Sequence, residues 1–537
     1  MQQLSGLDNV FLNMEDSRLH MHVASLGIYD PSSAPGGHVR FKTVLDFFSA
    51  KINEIPFFRR RLVGMPFGLD RPYFMDDPNI DVEYHVRHIA LPDPGDWRQL
   101  MIQVARLHSR PLDLTRPLWE AYVIGRLDNI EGIPKGSFAL YIKLHHCAID
   151  GQAGAQMMGM LHSLTPESEA SPKTNVIYAD HEPSPWELGA RSFANRGRQV
   201  LDASRLALQL GKKTVDMGAK YGPGILSDLR SGVRESVGLK RKEKVARSAH
   251  QTRFDGKVSP HRVVDALGVS IEDCNSIRGN IKCTINDIFL TVSGGALRKY
   301  LKAHHDLPGK GLNAMMPLAA TGDQINQNSA NNVSMTVVPM YTDIADPIER
   351  LVEVKKSAGK SKEVQDDLGR DLVARLMDVL PSRLTIKGLE SAILKNSSCT
   401  VSNVRGPDVP LYIAGAQMEM FLPVSIPFDG AGLNITGFSY HGTLWVCIAA
   451  CREMMPDPGF FTECFREALD DLVAASEEYA SRSKVETHSA PIVTNISGRA
   501  KKAPAKKAKP KPPAAKKAVR KKAPVKRAAP GKTRSKK

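Results

Sequence analysis

Between Gly136-Ser137 and a polar turn runs Phe138-Ala139-Leu140-Tyr141-Ile142, an unbroken apolar stretch of strand length. Such a run, bounded by turn residues, predicts a buried strand, and the turn that follows is where a loop would carry function. Residues 1–185 mix strands of this kind with helices. From Arg191 to Lys244 the texture changes, and the spacing of Val200-Leu201, Arg205-Leu206-Ala207-Leu208 and Leu210 predicts one or two amphipathic helices in a linker set at 186–250. A second α/β stretch follows over 251–485, with short strands at Met335-Thr336-Val337-Val338 and Leu444-Trp445-Val446-Cys447-Ile448 and a terminal helix from Gly459 to Tyr479. Two α/β halves joined by a long connector place a site in the crevice between them.

Composition refines this picture at its ends. The chain has 537 residues, 42% apolar and 24% charged, enough to bury a sizeable core, so disorder throughout is excluded. The net charge of +16 suggests a nucleic-acid binder, yet residues 499–537 hold 18 Lys and Arg and no acid, leaving 55 basic against 57 acidic residues elsewhere. Basicity therefore belongs to an appendage. Residues 486–537 collapse to Lys, Ala and Pro, and nothing there offsets the entropy of ordering, so a disordered tail is expected. It is similar in charge pattern to linker-histone tails, and would attract a polyanion, nucleic acid or anionic membrane, in a salt-dependent way. The linker stretch 191–244 carries 13 basic against 5 acidic residues, which fits a solvated face or attachment to anionic lipid.

Seven cysteines spread over the chain lack the density of a disulfide framework, which favours a reducing compartment. Cys447 and Cys451 read as packing residues. The start shows no basic segment followed by an apolar run, and no stretch reaches the roughly 18 apolar residues of a spanning helix. A cytoplasmic protein is expected.

The densest chemistry is Lys143-Leu144-His145-His146-Cys147-Ala148-Ile149-Asp150-Gly151, at the end of the apolar run. Adjacent residues of an extended segment point to opposite faces, so only one of the two histidines can look into a given cleft. An imidazole with a pKa near 6.5 accepts a proton at neutral pH, as a general base must. Asp150 with Gly151 suits a tight turn, where the carboxylate fixes the loop and the glycine leaves space beside the ring. By itself the pair also fits a core or surface role. A metal site is disfavoured because the rings diverge and no ligand cluster accompanies them, and no Gly-x-Ser-x-Gly elbow supports a serine hydrolase.

The stretch from Arg110 to Gly151, with Pro111-Leu112-Asp113 and Arg116-Pro117-Leu118-Trp119-Glu120 ahead of the histidines, resembles the bacterial wax ester synthase/acyl-CoA:diacylglycerol acyltransferase family. The resemblance extends, in the family's order, to Phe11-Leu12-Asn13-Met14-Glu15, Met21-His22-Val23, Asn286-Asp287-Ile288-Phe289-Leu290 and Asn332-Val333-Ser334. It continues through Ser402-Asn403-Val404-Arg405-Gly406-Pro407 and Gly432-Leu433-Asn434-Ile435-Thr436, and so covers roughly residues 7–480. It implies two chloramphenicol acetyltransferase-like domains, at 1–185 and 251–485, with an interfacial active site. It also implies transfer of a long acyl chain from acyl-CoA, as substrate and with no further cofactor or metal, to diacylglycerol or a long-chain alcohol at an inner membrane or lipid inclusion.

By that resemblance His146 is the base, His145 and Asp150 position it, and Asn286 donates to the oxyanion, although Asn286 also fits a helix cap. Gly151, Glu15, Pro117, Leu118 and Trp119 fall at positions near substrate, with packing the alternative for Trp119 and a helix-surface acid the alternative for Glu15. The chain departs from the family at Met316-Pro317-Leu318-Ala319-Ala320-Thr321, which lacks a serine and an arginine, and at Phe254 in place of an asparagine, so coenzyme or acceptor recognition is expected to differ. A non-catalytic lipid-binding protein and a condensation-type transferase using carrier-bound acyl groups are the competing functions.

Overall fold

The computed structural model describes residues 1–68, 70–149, 158–167, 181–205 save 196, 200 and 203, 252–319, 333–368, 378, 385–386 and 394–488. Asp150, Gly151, the linker from 206 and the tail from 489 thus lie outside the described residues. Fifteen strands are described. They are Gln2–Gln3 (β1), His22–Asp30 (β2), Arg60–Val63 (β3), Tyr73–Asp76 (β4), Val86–Ala90 (β5), Trp119–Gly125 (β6), Phe138–His145 (β7), Arg262–Ser270 (β8), Asn313–Ala319 (β9), Val333–Pro339 (β10), Cys399–Arg405 (β11), Tyr412–Ile413 (β12), Ala416–Val424 (β13), Leu433–Tyr440 (β14) and Thr443–Cys451 (β15). One six-stranded sheet has the order β12-β13-β2-β7-β6-β5 and the other β10-β9-β11-β14-β15-β8, with β1, β4 and β3 forming a small third sheet.

The apolar run at 138–142 lies in β7, all eight of whose residues are buried between β2 and β6. Both faces of this strand meet protein, which is why its pattern does not alternate. On one face Leu140, Ile142 and Leu144 join Tyr29 and Trp119, covered by Phe48 of the helix Phe41–Glu54. On the other, Ala139 and Tyr141 join Leu26 and Ile28, Val104 of the helix Trp97–His108, and Ala266, Cys447 and Ala449 of the second sheet. This shared cluster makes residues 1–485 one compact unit. Cys447 and Cys451 are both buried, in different clusters, as packing residues.

The second sheet turns Ile435, Val446 and Ile448 toward two helices, Ile285–Ala303 and Pro458–His488. The first of these starts at Thr284, whose hydroxyl accepts from Asp287 N while the Asp287 carboxylate accepts from Thr284 N, a reciprocal cap. The terminal helix runs past the expected Tyr479. Pairing departs from the sequence division in one respect: β13, from the second half, pairs antiparallel with β2 across Val424↔Ala24 to Gln417↔Asp30. A strand crossing from one half into the other's sheet brings the two halves together around one site. Gly406, ending the Ser402–Pro407 motif, is required where the chain leaves β11, because a Cβ there would collide with Ser439 O and the Phe438 ring.

Candidate active site

A cavity of about 430 Å³ lies between the sheets. Leu140, Ile142 and Leu144 of β7 and Phe421 and Pro423 of β13 form one wall, and Met315, Met335, Ser402 and Thr436 from the second sheet form the other. Apolar side chains dominate it, as the binding of an apolar ligand requires.

His146 lines this cavity. Strand β7 ends at His145, and a short 3-10 turn, His146–Ala148, carries the next residue off the sheet. His146 N donates to Met21 O at 2.7 Å, extending the β2 pairing by one residue past the strand end. Phe11 of the helix Gly6–Met14 stacks on the His146 ring, with centroids 4.1 Å apart and planes at 23°.

His145 is fully buried and does not line the cavity. Cys147 N–H donates to its Nδ1 at 3.1 Å, so the proton is on Nε2, which donates to Glu15 Oε2 at 2.6 Å. Burial alone would raise the Glu15 pKa, but the hydrogen bond from His145, the His20 ring 3.7 Å away and the Met21 N–H hold it down at about 2. Glu15 therefore stays ionised, tying the segment after the first helix to the turn that carries His146. The two adjacent histidines split their tasks as an extended backbone dictates: one is anchored and one faces the cavity.

A second imidazole pair supports the same wall further along, at Ser425. His22 Nε2 donates to the His108 carbonyl at 2.6 Å, and His108 bridges Tyr141 Oη at 3.0 Å and Ser425 O at 3.2 Å, Ser425 itself lining the cavity. Burial pushes His108 down to about 3, aided by Arg262 and Lys143, and pushes His22 well below its ordinary value. These rings stay neutral and serve as struts. At another point of the wall, His162 donates through Nδ1 to Met158 O at 2.7 Å and accepts from Tyr29 Oη at 2.9 Å, with burial lowering its pKa to about 4.

The structure does not bring every expected residue to this site. Asn286 sits in the first turn of the helix Ile285–Ala303, half-buried and not among the cavity-lining residues, because the reciprocal Thr284–Asp287 cap places that segment at a helix start. Pro117, Leu118 and Trp119 do not line the cavity either. Leu118 is packed in the core, and Trp119, on the cavity face of its sheet but one strand further out, is covered by Phe48 and Phe58 and donates from Nε1 to Phe58 O at 2.8 Å. Glu15 holds His145 and does not line the cavity. Asp150 and Gly151 lie outside the described residues. Phe254 is fully buried beside Tyr300, its carbonyl accepting from Gly432 N.

Sequence reasoning passed over Phe11, although it opens the quoted Phe11–Glu15 motif. It also assigned no role to the polar residues Thr400, Ser402, Asn403 and Asn434, all of which line the cavity. Asn434 Nδ2 donates to Ile426 O at 3.2 Å and its Oδ1 accepts from Thr436 at 2.6 Å. The signal was available in the polar residues that interrupt the apolar strands β11 and β14. Among the described residues, no group of three or more His, Cys, Asp or Glu side chains could hold a metal ion, and no helix is long and apolar enough to cross a membrane.

The wax ester synthase/diacylglycerol acyltransferase catalytic-domain profile matches residues 4–289, and the profile of the C-terminal domain of the same family matches residues 329–473. The chain belongs to this family. It is 30% identical over 461 residues to "O-acyltransferase WSD" of Acinetobacter baylyi, covering 85% of this chain and 93% of that protein. It is likewise 30% identical to a putative diacylglycerol O-acyltransferase of Mycobacterium tuberculosis, covering 89% and 100%. Among solved structures, the wax ester synthase/diacylglycerol acyltransferase from Marinobacter aquaeolei aligns with a TM-score of 0.59 at 24% identity, over 89% of this chain and 100% of that one. The first condensation domain of the calcium-dependent antibiotic synthetase aligns with a TM-score of 0.51 at 12% identity, over 88% and 96%. Both likenesses concern the fold, and they agree with the expected pair of chloramphenicol acetyltransferase-like α/β domains. Family membership makes the chain an O-acyltransferase, the enzyme class expected from the ordered motifs.

Proposed function

We propose that this family member moves a long-chain acyl group from acyl-CoA to the hydroxyl of diacylglycerol or a long-chain alcohol, with His146 as general base. The supporting observation is the placement of His146 on an apolar cavity built from both sheets. The imidazole removes the hydroxyl proton as the acceptor oxygen attacks the thioester carbonyl. Collapse of the tetrahedral intermediate breaks the C–S bond, and the imidazolium returns its proton to the coenzyme thiolate, leaving triacylglycerol or wax ester and free coenzyme A.

His145 and Glu15 act as positioning residues for the turn, and Asp150 is assigned the same task from the motif. Asn403 and Ser402, which line the cavity, replace Asn286 as candidate donors to the oxyanion. The reaction draws on acyl-CoA as substrate and on no resident cofactor. Work at an inner-membrane face or lipid inclusion follows from the acceptors' chemistry, with the basic tail as a further point of adhesion to polyanions. The domains are assigned as 1–185 and 251–485, with linker and tail as the remaining parts.

The test is His146→Ala with labelled acyl-CoA and either acceptor. The expected loss in kcat/KM is about 100- to 10,000-fold, and turnover within a few fold of the parent would refute the base.

A further inference from the structure

One helix of the molecule is amphipathic in the wrong sense for a protein in water. Residues 185–205 are helical at every described position, capped at Ser184, whose hydroxyl accepts from Glu187 N, with Pro185 at the first helical position. At 100° per residue, positions 188, 192, 195 and 199 share one side. That side is anchored: Leu188 packs with Met65 and Tyr73, Ser192 is buried, and Asn195 donates to Tyr73 Oη at 2.6 Å and Gln3 Oε1 at 3.0 Å. The helix is thereby held on the small sheet of β1, β3 and β4.

The opposite side holds positions 186, 190, 193, 197 and 201. There stand Trp186, Phe193 and Leu201, which are 89%, 84% and 60% exposed, spaced by the small residues Ala190 and Gly197. Isolated apolar residues on a surface need no explanation, but two aromatics and a leucine along one helix stripe, opposite the packed face, do. Beside the stripe, Arg191, Arg198 and Arg205 recur every seven residues as an exposed row. Their companions Glu187 and Asp202 pair with Arg191 and Arg205 at 3.0 and 3.3 Å, so among the described residues the margin has one positive charge in excess, at Arg198. Aromatic side chains next to an arginine row match the chemistry of a phospholipid surface, with rings entering the acyl boundary and guanidinium groups meeting phosphates.

We propose that this helix face is the membrane-docking surface of the protein and that its partner is an anionic phospholipid surface. The acyl-transfer reading supplies only the reason a lipid surface is at hand. The excess positive charge beside exposed aromatic rings favours an anionic lipid surface, and a second copy of this chain is the competing occupant that the experiment distinguishes.

The experiment uses the full chain with vesicles of phosphatidylglycerol and phosphatidylethanolamine. Binding is measured at low salt and at about 0.5 M salt, where attraction by exposed charges is largely screened. Brominated acyl chains are expected to quench tryptophan emission of the bound parent, and Trp186→Phe is expected to lose that quenching while still binding. Phe193→Ser should weaken partitioning by roughly tenfold or more at either salt, and Arg198→Gln by about fivefold at low salt only.

Absence of Trp186-dependent quenching would overturn the proposal, as would equal partitioning by Phe193→Ser. A parent dimer that Phe193→Ser converts to monomer would overturn it as well, because the stripe would then be covered by protein. Turnover of a water-soluble alcohol, measured in parallel, tests the acyl-transfer reading alone, since none of these three residues touches the cavity.

Discussion

Replacing Glu15 by alanine isolates the link between the first helix and the His146 turn. In the folded protein its carboxylate accepts from His145 Nε2 at 2.6 Å and from Met21 N at 3.4 Å, with His20 Nδ1 3.7 Å from the other oxygen. Its pKa falls from the ordinary 4.5 to about 2 against the opposing effect of burial. At 1.36 kcal/mol per pH unit that is roughly 3 kcal/mol, reduced to about 1–2 kcal/mol by residual solvent screening. Removing the acceptor also strands the buried His145 N–H, at a further cost of about 1–3 kcal/mol.

Glu15→Ala is therefore expected to lose about 2–5 kcal/mol of stability in urea unfolding, together with most of its turnover. Glu15→Gln keeps an acceptor oxygen for His145 and should retain more of both. The pH dependence has a definite sign. A carboxylate with a depressed folded pKa stabilises fully above its unfolded value near 4.5, and that contribution disappears as pH falls toward about 2. The parent should lose stability over this window more steeply than Glu15→Gln. Equal stability of parent and Glu15→Ala at neutral pH, with turnover intact, would refute the positioning role.

Three further outcomes follow from side chains elsewhere. Lys143, fully buried on β7, lies 3.2 Å from Glu120 and donates to Arg110 O at 2.9 Å, burial lowering its pKa against the pull of Glu120. Lys143→Met should cost about 1–3 kcal/mol by leaving the Leu107 and Arg110 carbonyls without their donor, Glu120 keeping Arg87 at 3.3 Å and Tyr122 Oη at 3.1 Å; denaturant midpoints of parent and variant check this. Asn403→Ala should lower kcat more than KM, whereas Asn286→Ala should leave kcat within a few fold of the parent, as steady-state kinetics with acyl-CoA will show. The neighbouring Asp287→Ala should cost about 1 kcal/mol through its lost cap, read in the same unfolding assay.

These contrasts mark where the sequence was readable. The buried strand at 138–145 was legible because an apolar run between turn residues has few other uses, and the histidines at its end were legible because their backbone direction splits them. The Asn286-Asp287 pair was ambiguous because the same short polar residues begin helices and bind oxyanions. Thr284, three residues ahead of Asp287, was the local sign that decides for a helix start at Ile285. Trp119 was unreadable in a different way: a tryptophan at the start of a strand packs or binds according to what covers it, and Phe48 and Phe58 lie 71 and 61 residues earlier.

Taken alone, the order of residues determined the two α/β halves, the family and the residue proposed as base, because hydrophobic period, turn chemistry and motif order are all local along the chain. Only the tertiary structure decided which side chains share the cavity, that β13 crosses to pair with β2, that Glu15 supports His145, and that Trp186 and Phe193 face outward. These depend on contacts between distant segments, and the choice among such contacts is made by packing of the whole chain, which no local pattern encodes.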